Sequence, residues 1–80
     1  MNALEQVLEF LSALREAKVH FDLTSVRDAI MVTVVSPSKY YEIEFFADGR
    51  IEVQTFDAAT RVQSVSLRDI TDRVVGDVNG

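Results

Sequence analysis

His20 and Asp22 lie two residues apart in an alternating stretch, so on a strand they would share a face, with Thr24 beyond them. A histidine beside a carboxylate is the start of a general-base or metal-ligand arrangement. Nothing in the chain completes it, for this is the one histidine and there are no cysteines. A lone histidine at a helix-to-strand junction reads as a surface residue or a local hydrogen-bonder. Glu42 and Glu44 form the second candidate, a carboxylate pair for acid–base chemistry. Such a pair needs a concave, partly desolvated setting to separate its two pKa values, and 80 residues leave little room for a cleft. No glycine-rich loop is present, since Gly49 reads as a turn residue and Gly76 and Gly80 lie near the C-terminus. The expectation is a non-enzymatic chain with no catalytic residues, metal ligands or cofactor.

Composition narrows the partners. Thirteen acidic residues against eight basic ones give a net charge of −5, and no basic run occurs anywhere. Phosphate backbones and anionic membranes repel such a chain, which argues against direct nucleic-acid or membrane binding. No apolar run approaches the ~18 residues that span a bilayer. The N-terminal residues lack the basic and continuous apolar regions of a secretory signal. The absence of cysteine fits a reducing compartment, so the expected location is the cytoplasm. A hydrophobic fraction of 48% argues against disorder.

The elements follow from periodicity. In "NALEQVLEFLSALREAK", Leu4, Val7, Leu8, Leu11 and Leu14 form an apolar stripe at helical spacing, with Phe10 beside it. Asn2 and Glu5 suit a capping box. Val19, Phe21 and Leu23 then alternate with His20, Asp22 and Thr24 as a strand, and "SVRDA" reads as a turn. "IMVTVV" is almost continuously apolar and predicts a central strand with much of both faces covered. Pro37 ends it. The hairpin "YYEIEFFADGRIEVQTF" follows, then a loop at "DAAT" and a short edge strand at "RVQSV". "SLRDITDRVVGDVNG" predicts a short C-terminal helix, capped by Ser66, with Leu67, Ile70 and Val74 on one face, Gly76 as its stop and frayed last residues. The result is a single α+β domain over residues 1–80, an N-terminal helix packed on a four-stranded antiparallel meander. Its order is α-β-β-β-β-α, with room for the extra edge strand.

The hairpin admits two registers. A two-residue Asp48-Gly49 loop would set Phe45 opposite Glu52 and Glu44 opposite Val53, mixing apolar and charged residues on both faces. A three-residue loop, Ala47-Asp48-Gly49, sets Phe45 opposite Ile51, Ile43 opposite Val53 and Tyr41 opposite Thr55. One face is then cleanly apolar, and Gly49 falls where φ is positive. The other face gathers Tyr40, Glu42, Glu44 and Phe46 against Phe56, Gln54, Glu52 and Arg50. Glu44 meets Glu52, a like-charge pair unfavourable by roughly 0.2–1 kcal/mol. Residues 40–57 hold five acids and one base, −4 of the total −5. One reading makes this a solvated face, with Arg50 reaching diagonally to Glu44. The other makes Tyr40, Glu42, Glu44, Phe46, Glu52, Gln54 and Phe56 a docking surface. There, acids speed encounter with a basic protein partner and rings anchor it.

The pattern "YEIEFF-DG-IEV--F", after an amphipathic helix and two strands, resembles small acidic bacterial proteins of the toxin-immunity and antitoxin type. That resemblance spans residues 1 to 75 and implies a stoichiometric inhibitor covering a toxin's active site or essential surface. It implies no catalytic residues, and no contact residue carries over by name. The leading expectation is an acidic protein-binding module that neutralises a basic partner, with a nuclease as the natural candidate. The alternative is a homodimer or accessory subunit that assembles through a sheet edge or the aromatic-acidic face.

Overall fold

The computed structural model describes residues 2–37, 39–56 and 62–79. Helix α1 spans Ala3–Glu16 and opens on the expected capping box. The Asn2 side chain accepts from the Glu5 backbone N–H at 2.8 Å, and the Glu5 carboxylate accepts from the Asn2 N–H at 3.4 Å. Its end is a Schellman turn built without glycine. The Val19 N–H donates to the Leu14 carbonyl and the Lys18 N–H to the Arg15 carbonyl, with Lys18 at φ 60°. Val19 is therefore buried as the residue that closes the helix, and the first strand starts later than the alternation from Val19 predicts.

Among the described residues five strands follow in chain order as one antiparallel meander: β1 (Asp22–Val26), β2 (Ala29–Val35), β3 (Tyr40–Phe46), β4 (Ile51–Phe56) and β5 (Val62–Ser64). The fold is α+β as predicted, and the extra edge strand is present as the fifth. The "DAAT" loop lies outside the described residues. The turn predicted at "SVRDA" shrinks to Arg27 and Asp28, because Ser25 and Val26 belong to β1. Positive φ at Arg27 alone, 52°, is the pattern of a type II′ hairpin turn. At Pro37 the chain reverses around Ser36, whose N–H donates to the Lys39 carbonyl at 2.8 Å. The Ser36 hydroxyl also accepts from the Lys39 N–H at 3.0 Å.

Both helices pack on one face of the sheet. Phe10, Leu11 and Leu14 of α1 meet Val32, Val34, Tyr41, Ile43, Phe45, Ile51 and Val53 in the core. The Phe10 and Phe45 ring centroids are 5.4 Å apart. This corrects the predicted stripe: Phe10 is fully buried, whereas Leu4 and Leu8 are exposed. The helix is rotated so that its Val7–Phe10–Leu14 edge, not its Leu4–Leu8 edge, meets the sheet. The helices cover one face of β2, burying Val32 and Val34; Val35 on the reverse face is exposed, as is Ile30 at the end of the covered face.

Helix α2 (Leu67–Asn79) buries Ile70 and Val74 beside α1. Ser66 caps it, its hydroxyl accepting from the Asp69 N–H at 3.1 Å. The helix does not stop at Gly76, and its described end is tied down. The Asn79 side-chain amide donates to the Ala17 carbonyl at 3.2 Å, and the buried Tyr41 hydroxyl donates to the Asp77 carboxylate. Lys39 Nζ stands 3.7 Å from the same carboxylate. Among the described residues no helix is long and apolar enough to cross a membrane.

Candidate functional site

The three-residue hairpin loop positions the candidate site. The Gly49 N–H donates to the Phe46 carbonyl at 3.0 Å, and the Phe46 N–H donates to the Arg50 carbonyl at 2.9 Å. The Asp48 carboxylate accepts from the Arg50 N–H at 2.9 Å, and Gly49 adopts φ 92°. This is the predicted turn, and the register follows from it. Phe45 faces Ile51, Ile43 faces Val53 and Tyr41 faces Thr55 on the core side. Tyr40 faces Phe56, Glu42 faces Gln54 and Glu44 faces Glu52 on the reverse side. Helix α1 braces the loop from behind, with Gln6 Nε2 donating to the Gly49 carbonyl at 2.9 Å.

All seven residues predicted for the site share the face that neither helix covers. Phe56 is exposed, and the other six are half-buried rather than open. Each carboxylate stem is flanked by cross-strand neighbours about 4.5–5.5 Å away by ordinary sheet geometry, which shields it from water. The rings of Tyr40 and Phe56 stand 5.5 Å apart and tilted at one end of the hairpin. At the other end the Arg50 guanidinium lies 4.1 Å over the Phe46 ring. Arg50 does not take the diagonal path to Glu44. Its Nε stands 3.4 Å from Glu52 Oε2, two residues along its own strand. Among the described residues Glu42 and Glu44 make no ion pair, so the centre of the face keeps two uncompensated carboxylates.

The fold adds neighbours that the hairpin alone does not reveal. Strand β2 sets Met31 opposite Glu44, Thr33 opposite Glu42 and Val35 opposite Tyr40. On the far side β5 sets Ser64 opposite Glu52 and Val62 opposite Gln54. Val35, Tyr40, Phe56 and Val62 thus gather apolar surface at one end, and the glutamates hold the middle. The signal for the β2 residues is the alternation Met31, Thr33, Val35, which a nearly continuous apolar run conceals.

The other chemical candidates do not converge. His20 is exposed and precedes β1, so it holds no place in the sheet register with Asp22. The two residues border a shallow open hollow with Phe21, Thr33, Val35 and Tyr40. Among the described residues neither side chain has a hydrogen-bonded or ionic partner to orient it. Comparison of the chain with protein-family models, with curated proteins and with solved structures found no significant match in any of the three.

Proposed function

We propose that this chain is a non-enzymatic, acidic protein-binding module of the immunity-protein or antitoxin type. Its outer sheet face covers a basic surface of a partner protein. A nuclease is the natural target, because enzymes that grip phosphate backbones carry basic clefts that an acidic sheet complements. The observation that carries this reading is the opposed pair of Glu44 and Glu52 on an uncovered sheet face, with one base shared among three glutamates. Such an arrangement is unfavourable in the free protein and becomes favourable against Lys or Arg. Tyr40 and Phe56 at one end, with Val35 and Val62 beside them, supply apolar contact area once water is excluded.

The test is capture from the native host with the wild-type chain and with Glu44→Lys, followed by association rates across a salt series. The proposal expects a basic partner held by the wild type and lost by Glu44→Lys, with association slowing as salt rises. A partner retained equally by both chains, with the same salt dependence, would reduce the acidic face to a wet surface.

A further inference from the structure

The opposite side of the sheet carries a second uncovered surface, of a different character. Leu4 and Leu8 are 67% and 54% exposed on the flank of α1 that faces β1, and Leu23 and Ile30 are 52% and 38% exposed on the strands below. Between them lies an open apolar groove of about 290 Å³, lined by Leu4, Val7, Ser25, Ile30 and Phe45 among others. The groove borders β1, whose outer edge has no neighbouring strand among the described residues. Natural edge strands are blunted by proline, a bulge, extreme shortness or a central charge. Strand β1 has none of these. It runs five residues in unbroken register with β2, and its one charge, Asp22, stands at its start.

The geometry points to a second copy of this chain paired along β1, antiparallel, about a twofold axis at Thr24. The two-residue turn makes Val26 and Ala29 a hydrogen-bonded pair, so the backbone groups of Asp22, Thr24 and Val26 face β2. Those of Leu23 and Ser25 therefore face the open edge. A twofold axis at Thr24 sets Leu23 opposite Ser25 of the second copy, and both donate and accept across the seam. The joined sheet keeps all helices on one side and brings the two Leu4–Leu8 flanks together over the seam.

No like charges are opposed within the strand in this register. Asp22, the one charge of β1, meets Val26 of the second copy. Centring the axis on Ser25 instead would oppose Asp22 to Asp28. Residues 20–28 carry two acids and one base, against five and one in residues 40–57. Two copies of an acidic chain therefore meet with less repulsion along β1 than on the 40–57 face. The outer acidic face remains free in such a dimer.

Sedimentation across a concentration series tests the pairing directly. The wild type is expected at twice the 9.0 kDa chain mass, dissociating on dilution. Ser25→Pro removes an outward N–H and leaves the β1–β2 ladder intact, so it should raise the dissociation constant about tenfold or more with an unchanged circular-dichroism spectrum. The chain has no cysteine, so single replacements report proximity. Thr24 and its symmetry mate form a non-hydrogen-bonded pair about 4.5 Å apart, within disulfide reach. Oxidised Thr24→Cys should cross-link at least about tenfold faster than Val35→Cys, an exposed site away from the seam. A wild type that stays monomeric at millimolar concentration would overturn the pairing. So would equal cross-linking of the two cysteine variants. A dimer lost in Glu44→Lys and kept in Ser25→Pro would place the contact on the acidic face and refute the β1 seam.

Discussion

Glu44 and Glu52 face each other across the centre of the β3–β4 pair, and the Arg50 guanidinium joins Glu52, at 3.4 Å, while Glu44 is left without an ionic partner among the described residues. The two carboxylates are thus not equivalent. Glu44→Gln removes the repulsion and sacrifices no ion pair. It is expected to leave the free protein unchanged or more stable by up to about 1 kcal/mol. Glu52→Lys reverses the sign opposite Glu44 but places a second cation beside Arg50, so it gains less. Urea melts of the two variants check the order. Destabilisation by Glu44→Gln would reveal a favourable contact at that carboxylate.

Helix α1 is docked through Phe10, Leu11 and Leu14, not through Leu8. Phe10→Ala should cost about 3–5 kcal/mol, because the ring is fully buried against Phe45. Leu8→Ala should fall within about 0.5 kcal/mol of wild type at a concentration that keeps the chain monomeric. Denaturant melts giving the two variants equal losses would mean the helix sits a different way round.

The contrast between Phe10 and Leu8 shows where periodicity stops being informative. Helical spacing locates an apolar sector on α1, and that sector is wider than the area the sheet can cover. Which edge of the sector turns inward is decided by tertiary packing on Phe45, and residue types alone do not encode it. The hairpin register was legible for the opposite reason. A shift of one residue would send Phe45 and Ile43 to the charged face, so composition alone rejects it. All seven candidate site residues follow from that register. Their β2 neighbours do not, because "IMVTVV" shows no alternation of polarity. Gly76 was misleading as a stop because the Asp77 and Asn79 contacts, made to Tyr41 and Ala17, hold the last turn in place.

Two exposed residues hold left-handed backbone that glycine would adopt at less cost. Lys18 closes the Schellman turn at φ 60°, and Arg27 opens the β1–β2 turn at φ 52°. Lys18→Gly and Arg27→Gly should each stabilise the chain by up to about 1 kcal/mol, the steric relief being partly offset by the freer unfolded chain. Thermal unfolding of the single and double variants checks this, with additive shifts expected from separate sites. A loss of stability in Lys18→Gly would mean that its aliphatic stem contributes more than its backbone strain costs.

Gly49 presents the reverse case. A side chain there would meet open space, with Gln6 Nε2 the nearest atom at 4.0 Å, so crowding does not exclude one. The obstacle is φ 92°, which a β-branched residue resists. Gly49→Val should destabilise by about 1–2 kcal/mol or more, and Gly49→Asn by less, because asparagine tolerates positive φ. Equal losses in the two variants would move the cause from the backbone to the contact with Gln6.

One carboxylate ties the last turns of α2 to the sheet. Asp77 accepts from the Tyr41 hydroxyl and lies 3.7 Å from Lys39 Nζ, so a residue of the β3 core and one of the β2–β3 turn hold the same side chain. Tyr41→Phe keeps the buried ring and deletes the hydroxyl. It should cost about 1–2 kcal/mol, a charged acceptor making this bond stronger than a neutral one. Lys39→Ala should cost less, since that pair is about one-third exposed and screened by water. The two variants also differ in where they act. Hydrogen exchange should quicken in residues 75–79 of Tyr41→Phe and stay slow at the buried strands, because the hydroxyl anchors the helix end and the ring still fills the core. Uniform acceleration across the sheet would show instead that the hydroxyl supports the core as a whole. No acceleration at residues 75–79 would show that the Lys39–Asp77 pair and the Asn79–Ala17 bond hold the helix end without the hydroxyl.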